Sequence, residues 1–576
     1  MSGKAFRGVL VLAAGLSIVA TACAPTSTPG GSPAATAAGT AAGTAAATAA
    51  IPRGGTFIFA MWQEPATLAG PYVNQTIAGL VAQTVVEGLA TTDNDGNYVP
   101  MLAKTVPTLQ NGGVKLSADG KKMDVTWELK PGIKWSDGQP LTSADIRFTW
   151  ETWMKDPKVV NRAGHSDIES IDTPNELTAV VHYKVVYAAY TLNFGWILPK
   201  HVLQGVEDIS KNDFNRKPIG TGPFKVTEFV AGDHITVERN PNYREAGKPY
   251  LDKIIFKSVP SREVGIAQIK AGEVHGLWNL LEAQIPDLEK EPNVKLIVWP
   301  SSSVERIELN LAQNKDATDP ASVHPVLGDI AVRKAVLWAA PKQQIVDKLL
   351  GGKPKVAQSG YSQGWAAYKG QQDGYDPAKA NAELDKAGWA KGADGIRSKG
   401  GVKASLTFLT TTGDKIREQI QQVLVDEWKK IGIEVKIQNQ PSSVFLSGNF
   451  DNDPRKRGTF DLNMYATSPG IDPHTHIFTR FHSSQVPSAS NKAGQNYLRL
   501  KSPEVDKAID EGGATVDPEK RKAAYATAIK AINDSYAIIF LYERSNIDAH
   551  RPNVGGWKGH TWDNVTWNTQ DWFLKP

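Results

Sequence analysis

Between Lys403 and Gln438 the hydrophobic period of the chain changes twice. Lys403 to Leu409 has the make-up of a strand. Asp414 to Gly432 then places Ile416, Ile420, Val423, Leu424 and Ile431 at helical spacing with Gly432 as a terminator, and Ile433 to Gln438 is strand-like again. Strand, helix and strand in that order form a βαβ unit, in which the crossover helix covers two parallel strands. The same grammar occurs earlier. Met123 to Lys130 alternates strictly, with Met123, Val125, Trp127 and Leu129 on one face, and Pro131-Gly132 turns the chain. Thr142-Ser-Ala-Asp145 then has the form of a helix start, with Ile146, Trp150, Trp153 and Met154 expected on one stripe behind it. Asp329 to Ala340 and Pro518 to Ile532 are further amphipathic helices, and no repeat of 20 to 50 residues marks a solenoid or propeller. A mixed α and β chain of 576 residues forms three or four domains at roughly 150 residues each.

The first fifty residues carry a different message. Lys4 and Arg7 precede the apolar run from Gly8 to Ala20, which meets Thr21-Ala22 and the one cysteine of the chain, Cys23. This is the pattern of a secretory signal peptide, and no later segment reaches the ~18 apolar residues of a membrane span. The Ala20-Thr-Ala-Cys23 stretch resembles a bacterial lipobox, although the usual Leu three residues before the cysteine is absent. Residues 1–22 are thus expected to be removed, leaving Cys23 acylated; the alternative is an ordinary signal peptide with an incidental cysteine. Residues 24–50 contain only Ala, Thr, Gly, Ser and Pro. Such a segment has nothing to pack and serves as a tether, with a reach of about 30 Å as a flexible coil. Residues 23–53 are therefore expected to be a lipid-anchored linker on the outer face of the membrane.

Charge and motifs narrow the function. The 64 Lys and Arg residues nearly balance 60 Asp and Glu, without a basic stripe, so nucleic acid is not an expected partner. One cysteine precludes an internal disulfide and a multi-thiolate zinc site. The chain lacks G-x-S-x-G, H-E-x-x-H and the P-loop pattern, and Gly220-Thr-Gly222 lacks the third glycine of a dinucleotide fingerprint. No catalytic residues and no cofactor are expected. Asp472-Pro-His474-Thr-His476 with His482 is the best metal candidate, since an H-x-H pair in an extended segment puts both rings on one side. A polar loop of hydrogen-bonded histidines explains the same residues, and no metal is expected. Most of the sixteen tryptophans should be core anchors. Trp62, just after a predicted strand, and Trp365, in the loop Ser359-Gly-Tyr-Ser-Gln-Gly-Trp365, are candidates to touch ligand, because loops after strand ends carry the sites of α/β folds.

A set of motifs in order gives the chain a family likeness: Gly54-Gly-Thr-Phe-Ile-Phe59, Val86-Glu-Gly-Leu89, Pro100-Met-Leu-Ala103, and the long run from Leu129 through Lys134-Trp-Ser-Asp-Gly138 to Trp150. Ile197-Leu-Pro-Lys-His201, Pro218-Ile-Gly-Thr-Gly-Pro-Phe224, Arg239-Asn-Pro-Asn-Tyr243, Val332-Arg-Lys-Ala335, Phe460-Asp-Leu462, Asp472-Pro473 and Gly494-Gln-Asn-Tyr497 continue it. Together they resemble extracellular solute-binding protein family 5, the oligopeptide, dipeptide and nickel receptors of ATP-binding cassette (ABC) importers. The resemblance implies an α/β, two-lobed periplasmic-binding-protein-like fold with an additional third domain and a hinge-closing cleft. On that template domain I comprises 54–95, 218–303 and 535–576, domain II is the insertion 96–217, and domain III runs 304–534, with the charged loop Asp451 to Arg457 on the outside. The family's binding segments carry over onto Trp62, Gln63 and Glu64, the Trp365 loop, and Tyr465 to Asp472, including Ser468. Where dipeptide-type members place an acid before the Asp-Pro pair, this chain has Ser468-Pro-Gly470, and Thr410-Thr-Thr-Gly413 occupies the region of the carboxylate-binding Arg. A short dipeptide is therefore disfavoured. The expected function is a monomeric receptor that captures oligopeptides and delivers them to membrane permease subunits; oligosaccharides are the alternative ligand, and a secreted hydrolase is the alternative class.

Overall fold

The computed structural model describes residues 51–72, 75–159, 162, 164–312 and 322–576, so the expected signal peptide, Cys23 and most of the expected linker lie outside the described residues. Fourteen strands matter for the site. In chain order they are β1 (Thr56–Met61), β2 (Val114–Leu116), β3 (Met123–Glu128), β4 (Ile168–Asn175), β5 (Thr178–Tyr183), β6 (Phe224–Val230) and β7 (His234–Arg239). The remainder are β8 (Lys253–Ser258), β9 (Gly276–Leu277), β10 (Lys295–Leu309), β11 (Ser405–Leu409), β12 (Glu434–Ile437), β13 (Leu462–Thr467) and β14 (Ile538–His550). The helices used below are α1 (Ser143–Lys155), α2 (Ile330–Trp338), α3 (Lys415–Lys430), α4 (His474–Phe481) and α5 (Pro518–Asp534).

One mixed sheet of ten strands runs β12-β11-β13-β10-β14-β9-β1-β8-β7-β6, and a separate four-stranded sheet has the order β2-β3-β5-β4. The large sheet owes its continuity to β10 and β14, of 15 and 13 residues. Their antiparallel register runs from Lys295↔His550 to Pro300↔Ser545, breaks, and resumes from Val304↔Glu543 to Glu308↔Ile538. On one side of the break β14 pairs with β9, and on the other β10 pairs with β13. Two strands whose ladder is interrupted between Pro300 and Val304 thus join two halves of the sheet, and missing ladder bonds at such a break let the halves change their angle.

The core follows the same division. Ile307, Trp338, Trp389 and Trp428 pack with α2 and α3 on one half, Phe57, Phe59, Phe256, Trp557 and Trp572 beneath β1 on the other, and Val125, Trp127, Leu129 and Val181 under the small sheet. The local expectations hold: β11 and β12 are parallel with α3 between them, β3 buries alternate residues, and α1 starts after Thr142, whose N–H donates to the Asp145 carboxylate at 2.8 Å. Two expectations fail. Met154 is 38 % exposed rather than on the buried stripe, because it falls at the outer edge of the α1 face that buries Ile146, Thr149 and Trp153. The charged segment Asp451 to Arg457 is not an outer loop: Asp453, Arg455 and Lys456 are buried. Arg455 donates to Asp453 at 2.6 Å and lies over the rings of Phe445, Tyr465 and Tyr497, while Lys456 donates to the Lys492 carbonyl at 2.6 Å. Each buried cation has found an acid, a ring face or a carbonyl to replace its water.

Candidate ligand-binding cleft

The two halves of the large sheet meet across a seam made by four points far apart in sequence. A Cβ on Gly96 would come within 2.9 Å of Ile471, 3.0 Å of the Gly364 backbone and 3.3 Å of the Trp562 indole nitrogen. Gly364, at φ +79°, has the Trp562 ring 2.8 Å from where its own Cβ would stand, so both the left-handed backbone and the close approach require glycine there. Hydrogen bonds join the same elements: His560 Nε2 to the Thr92 carbonyl at 3.1 Å, and Gln363 Nε2 to the Ser301 carbonyl at 2.8 Å beside the β10 break.

β1 delivers one wall. It ends at the buried Met61, and the next residue, Trp62, turns out of the sheet to stack on Trp278 at 5.8 Å and 16°. Arg262 lies 3.8 Å over the Trp62 ring and donates to the Asn279 carbonyl and side-chain oxygen at 2.6 and 2.7 Å. Gln63 and Glu64 are exposed, and Glu64 accepts the Gly232 N–H at 2.9 Å. The Trp62 indole N–H is buried without a partner among the described residues.

The opposite wall is the end of β13 and the segment that follows it. Ser468 is exposed, and its hydroxyl meets that of Ser302. The main chain of Ser468, Gly470 and Ile471 makes no hydrogen bond among the described residues. Ser468 and Gly470 are exposed and Ile471 is half-buried, so these N–H groups and carbonyls face solvent, where an extended chain can dock on them.

Two of the expected ligand residues face inward instead. Tyr465 is 3 % exposed; its hydroxyl donates to Glu308 at 2.8 Å and accepts from Arg480 at 2.9 Å, above the ion pair of Arg306 and Glu308. Asp472 accepts from Arg521 through both oxygens at 2.8 and 3.0 Å, and also from the His474 N–H at 2.9 Å. Arg521 is held above its ordinary range by Asp472, against the opposing effect of burial, and sits 4.9 Å over the Trp365 ring. Asp472 and Arg521 in turn support Trp365, whose indole N–H is buried without a partner among the described residues. Tyr187 is pushed up to about 12, chiefly by burial and then by the Asp472 charge, which puts the small-sheet region against this pair.

The histidines are not in an extended segment. His474 and His476 open α4 behind Pro473, so their rings diverge. His476 is bonded at both nitrogens, Nδ1 to Tyr361 at 2.7 Å and Nε2 to Thr467 at 3.2 Å, and burial holds it neutral. Among the described residues no group of three or more His, Cys, Asp or Glu is placed to hold a metal ion. Sequence reasoning missed Gly96, Trp278, Arg521 and Trp562 as parts of the cleft. Only the tertiary fold brings them together.

Comparisons with known proteins agree with this architecture. The profile of the bacterial extracellular solute-binding proteins, family 5 Middle, matches residues 97–488. The oligopeptide-binding protein AppA of Bacillus subtilis (strain 168) is 29 % identical over 534 residues, covering 91 % of this chain and 92 % of that protein. Its solved structure in complex with a nonapeptide has a TM-score of 0.68, covering 92 % of this chain and all of that one, 100 %. NikZ of Campylobacter jejuni in complex with Ni(L-His) is 25 % identical with a TM-score of 0.71, covering 90 % of this chain and 99 % of that one. A two-lobed α/β architecture, a cleft between the halves and a profile match over most of the length agree: the chain belongs to the bacterial extracellular solute-binding proteins of family 5.

Proposed function

We propose that the chain is the substrate-binding receptor of an ABC importer and that it captures oligopeptides of relaxed sequence between its lobes. The observation that carries this reading is the unpaired main chain of Ser468, Gly470 and Ile471. Recognition through main-chain hydrogen bonds is indifferent to side chains, so it suits a receptor for many peptides. A sugar receptor would instead need open aromatic faces for stacking. The Trp62 ring is engaged by Trp278 and Arg262, and the Trp365 ring by Arg521. The peptide bound to the relative AppA supports the same choice.

In this reading Trp62, Gln63, Glu64, Trp365 and Ser468 face the ligand, while Tyr465 and Asp472 hold the wall in place from behind. Domain I (54–95, 218–303, 535–576) with its insertion, domain II (96–217), closes on domain III (304–534) by bending at the interrupted ladder of β10 and β14. The receptor works as a monomer, tethered through acylated Cys23 and the linker to the outer face of the membrane, and hands its ligand unchanged to the permease subunits. A thermal-shift screen of ligand-free protein tests the assignment. Peptides at ~100 times their dissociation constant should stabilise it by about 2.7 kcal/mol, and oligosaccharides should not. Stabilisation by oligosaccharides alone would replace the peptide assignment and leave the receptor role.

A further inference from the structure

Beside Trp278 and Trp299 the structure has a small cavity of about 80 Å³ that the main-chain docking edge does not use. Trp278 and Trp299 form apolar walls, Asn279 and Asn546 contribute amides, and Asp548 and Asp563 place carboxylates on it. Trp278 is the stacking partner of Trp62, and the Trp299 indole donates to Thr561, the neighbour of Trp562, at 3.2 Å. The cavity therefore lies next to the residues that hold Trp62 and Thr561.

Its two acidic groups have no basic partner among the described residues. Asp548 is only 6 % exposed, accepts the Asn279 N–H at 2.9 Å and has no other hydrogen-bond donor among the described residues. Asp563 accepts the Asn564 N–H at 2.8 Å. Neither carboxylate has a Lys, Arg or His in ion-pair contact among the described residues. His560 does not supply a charge, because its Nε2 donates to the Thr92 carbonyl while its Nδ1 accepts the Trp562 N–H at 3.1 Å, which fixes the neutral ring. Arg262 is occupied by Asn279 and Trp62. A buried carboxyl without a counter-ion holds its proton to higher pH, and a cation brought beside it favours the ionised form.

We propose that this cavity is a cation subsite of the cleft, taking the ammonium or guanidinium head of a basic ligand side chain between the two indoles and the two carboxylates. The proposal rests on the peptide-receptor reading and adds a side-chain preference to it. Size sets the class: the space equals the share of two or three water molecules at ~30 Å³ each, enough for a charged head and far below the roughly 300 Å³ at which whole-ligand pockets begin. Indole faces favour cations, and burial strengthens that attraction.

The test is calorimetric titration of ligand-free, full-length protein with randomised pentapeptide pools, each holding one position as Lys, Arg, norleucine or Gln. At one position the Lys or Arg pool should bind about tenfold or more tightly than the norleucine pool. Asp548→Asn and Asp563→Asn should each remove that preference and leave the norleucine pool within about twofold of wild type. Equal affinity of basic and neutral pools for the wild-type protein overturns the proposal, which needs no variant to fold. Equal loss of both pools in the variants overturns it as well. If no pool binds, the peptide reading fails on its own. Thermal shift with n-butylammonium and propylguanidinium then reads the cavity directly: stabilisation of wild type but not of Asp548→Asn supports the subsite, and no stabilisation refutes it.

Discussion

The carboxylate of Asp472 and the guanidinium of Arg521 form a two-pronged ion pair, at 2.8 and 3.0 Å, beneath the ring of Trp365. Both partners are buried. Removing one leaves the other charged without water, so Asp472→Asn or Arg521→Met should each destabilise the chain by about 3 to 5 kcal/mol. Replacing both together should cost less than the two single changes added. Urea denaturation of the double-mutant cycle measures this, and additive losses would mean that the pair does not act as a unit.

Asp548 gives a stability signature against pH. Burial raises its carboxyl from 3.8 to about 7. Between those values the folded chain holds a proton that the unfolded chain has released, so this group stabilises the fold at low pH. That contribution is lost as pH rises from about 4 through about 7, and is of order 4 kcal/mol in full. Asp548→Asn should flatten this part of the profile and be the more stable protein at pH 8. An unchanged slope between pH 5 and 8 would show that Asp548 does not titrate as its burial demands.

In the proposed reading Trp62 and Trp365 both face the ligand. Truncating either to Ala should weaken peptide binding about tenfold or more, equivalent to ~1.4 kcal/mol. Small-angle scattering should show a smaller radius of gyration when peptide is added to wild-type protein. Wild-type affinity in both variants would remove the two rings from the site.

The tether is tested in cells. Cys23→Ala should shift the chain from the membrane to the soluble fraction, since an acyl anchor would be its one attachment. A variant that still sediments with membranes in high salt would contradict that.

Sequence legibility followed the range of the forces involved. The parallel pair β11 and β12, the alternation of β3 and the start of α1 were readable because each depends on residues within one or two turns of chain. The burial of Asp453, Arg455 and Lys456 was not, because a run of charges looks solvent-facing until distant Phe445, Tyr497 and the Lys492 carbonyl are brought to it. His474-Thr-His476 was misread as extended for a related reason. Pro473 has no N–H to lose at a helix start, and Asp472 satisfies the His474 N–H, so the Asp-Pro turn continues into α4. Trp62 and Trp365 came from their loop positions and Ser468 from the family template, as expectations for the site. The seam of Gly96, Gly364, Ile471 and Trp562, and the break in β10 and β14, exist only as pairings between residues tens to hundreds of positions apart.

Native mass spectrometry of the protein purified from its source without unfolding tests the central claim most directly. The account predicts stoichiometric adducts, one per chain, whose masses and fragments resolve into a mixture of intact oligopeptides of varied sequence. Adducts that fragment as sugars, or peptides found only as cleavage products of added substrate, would contradict it.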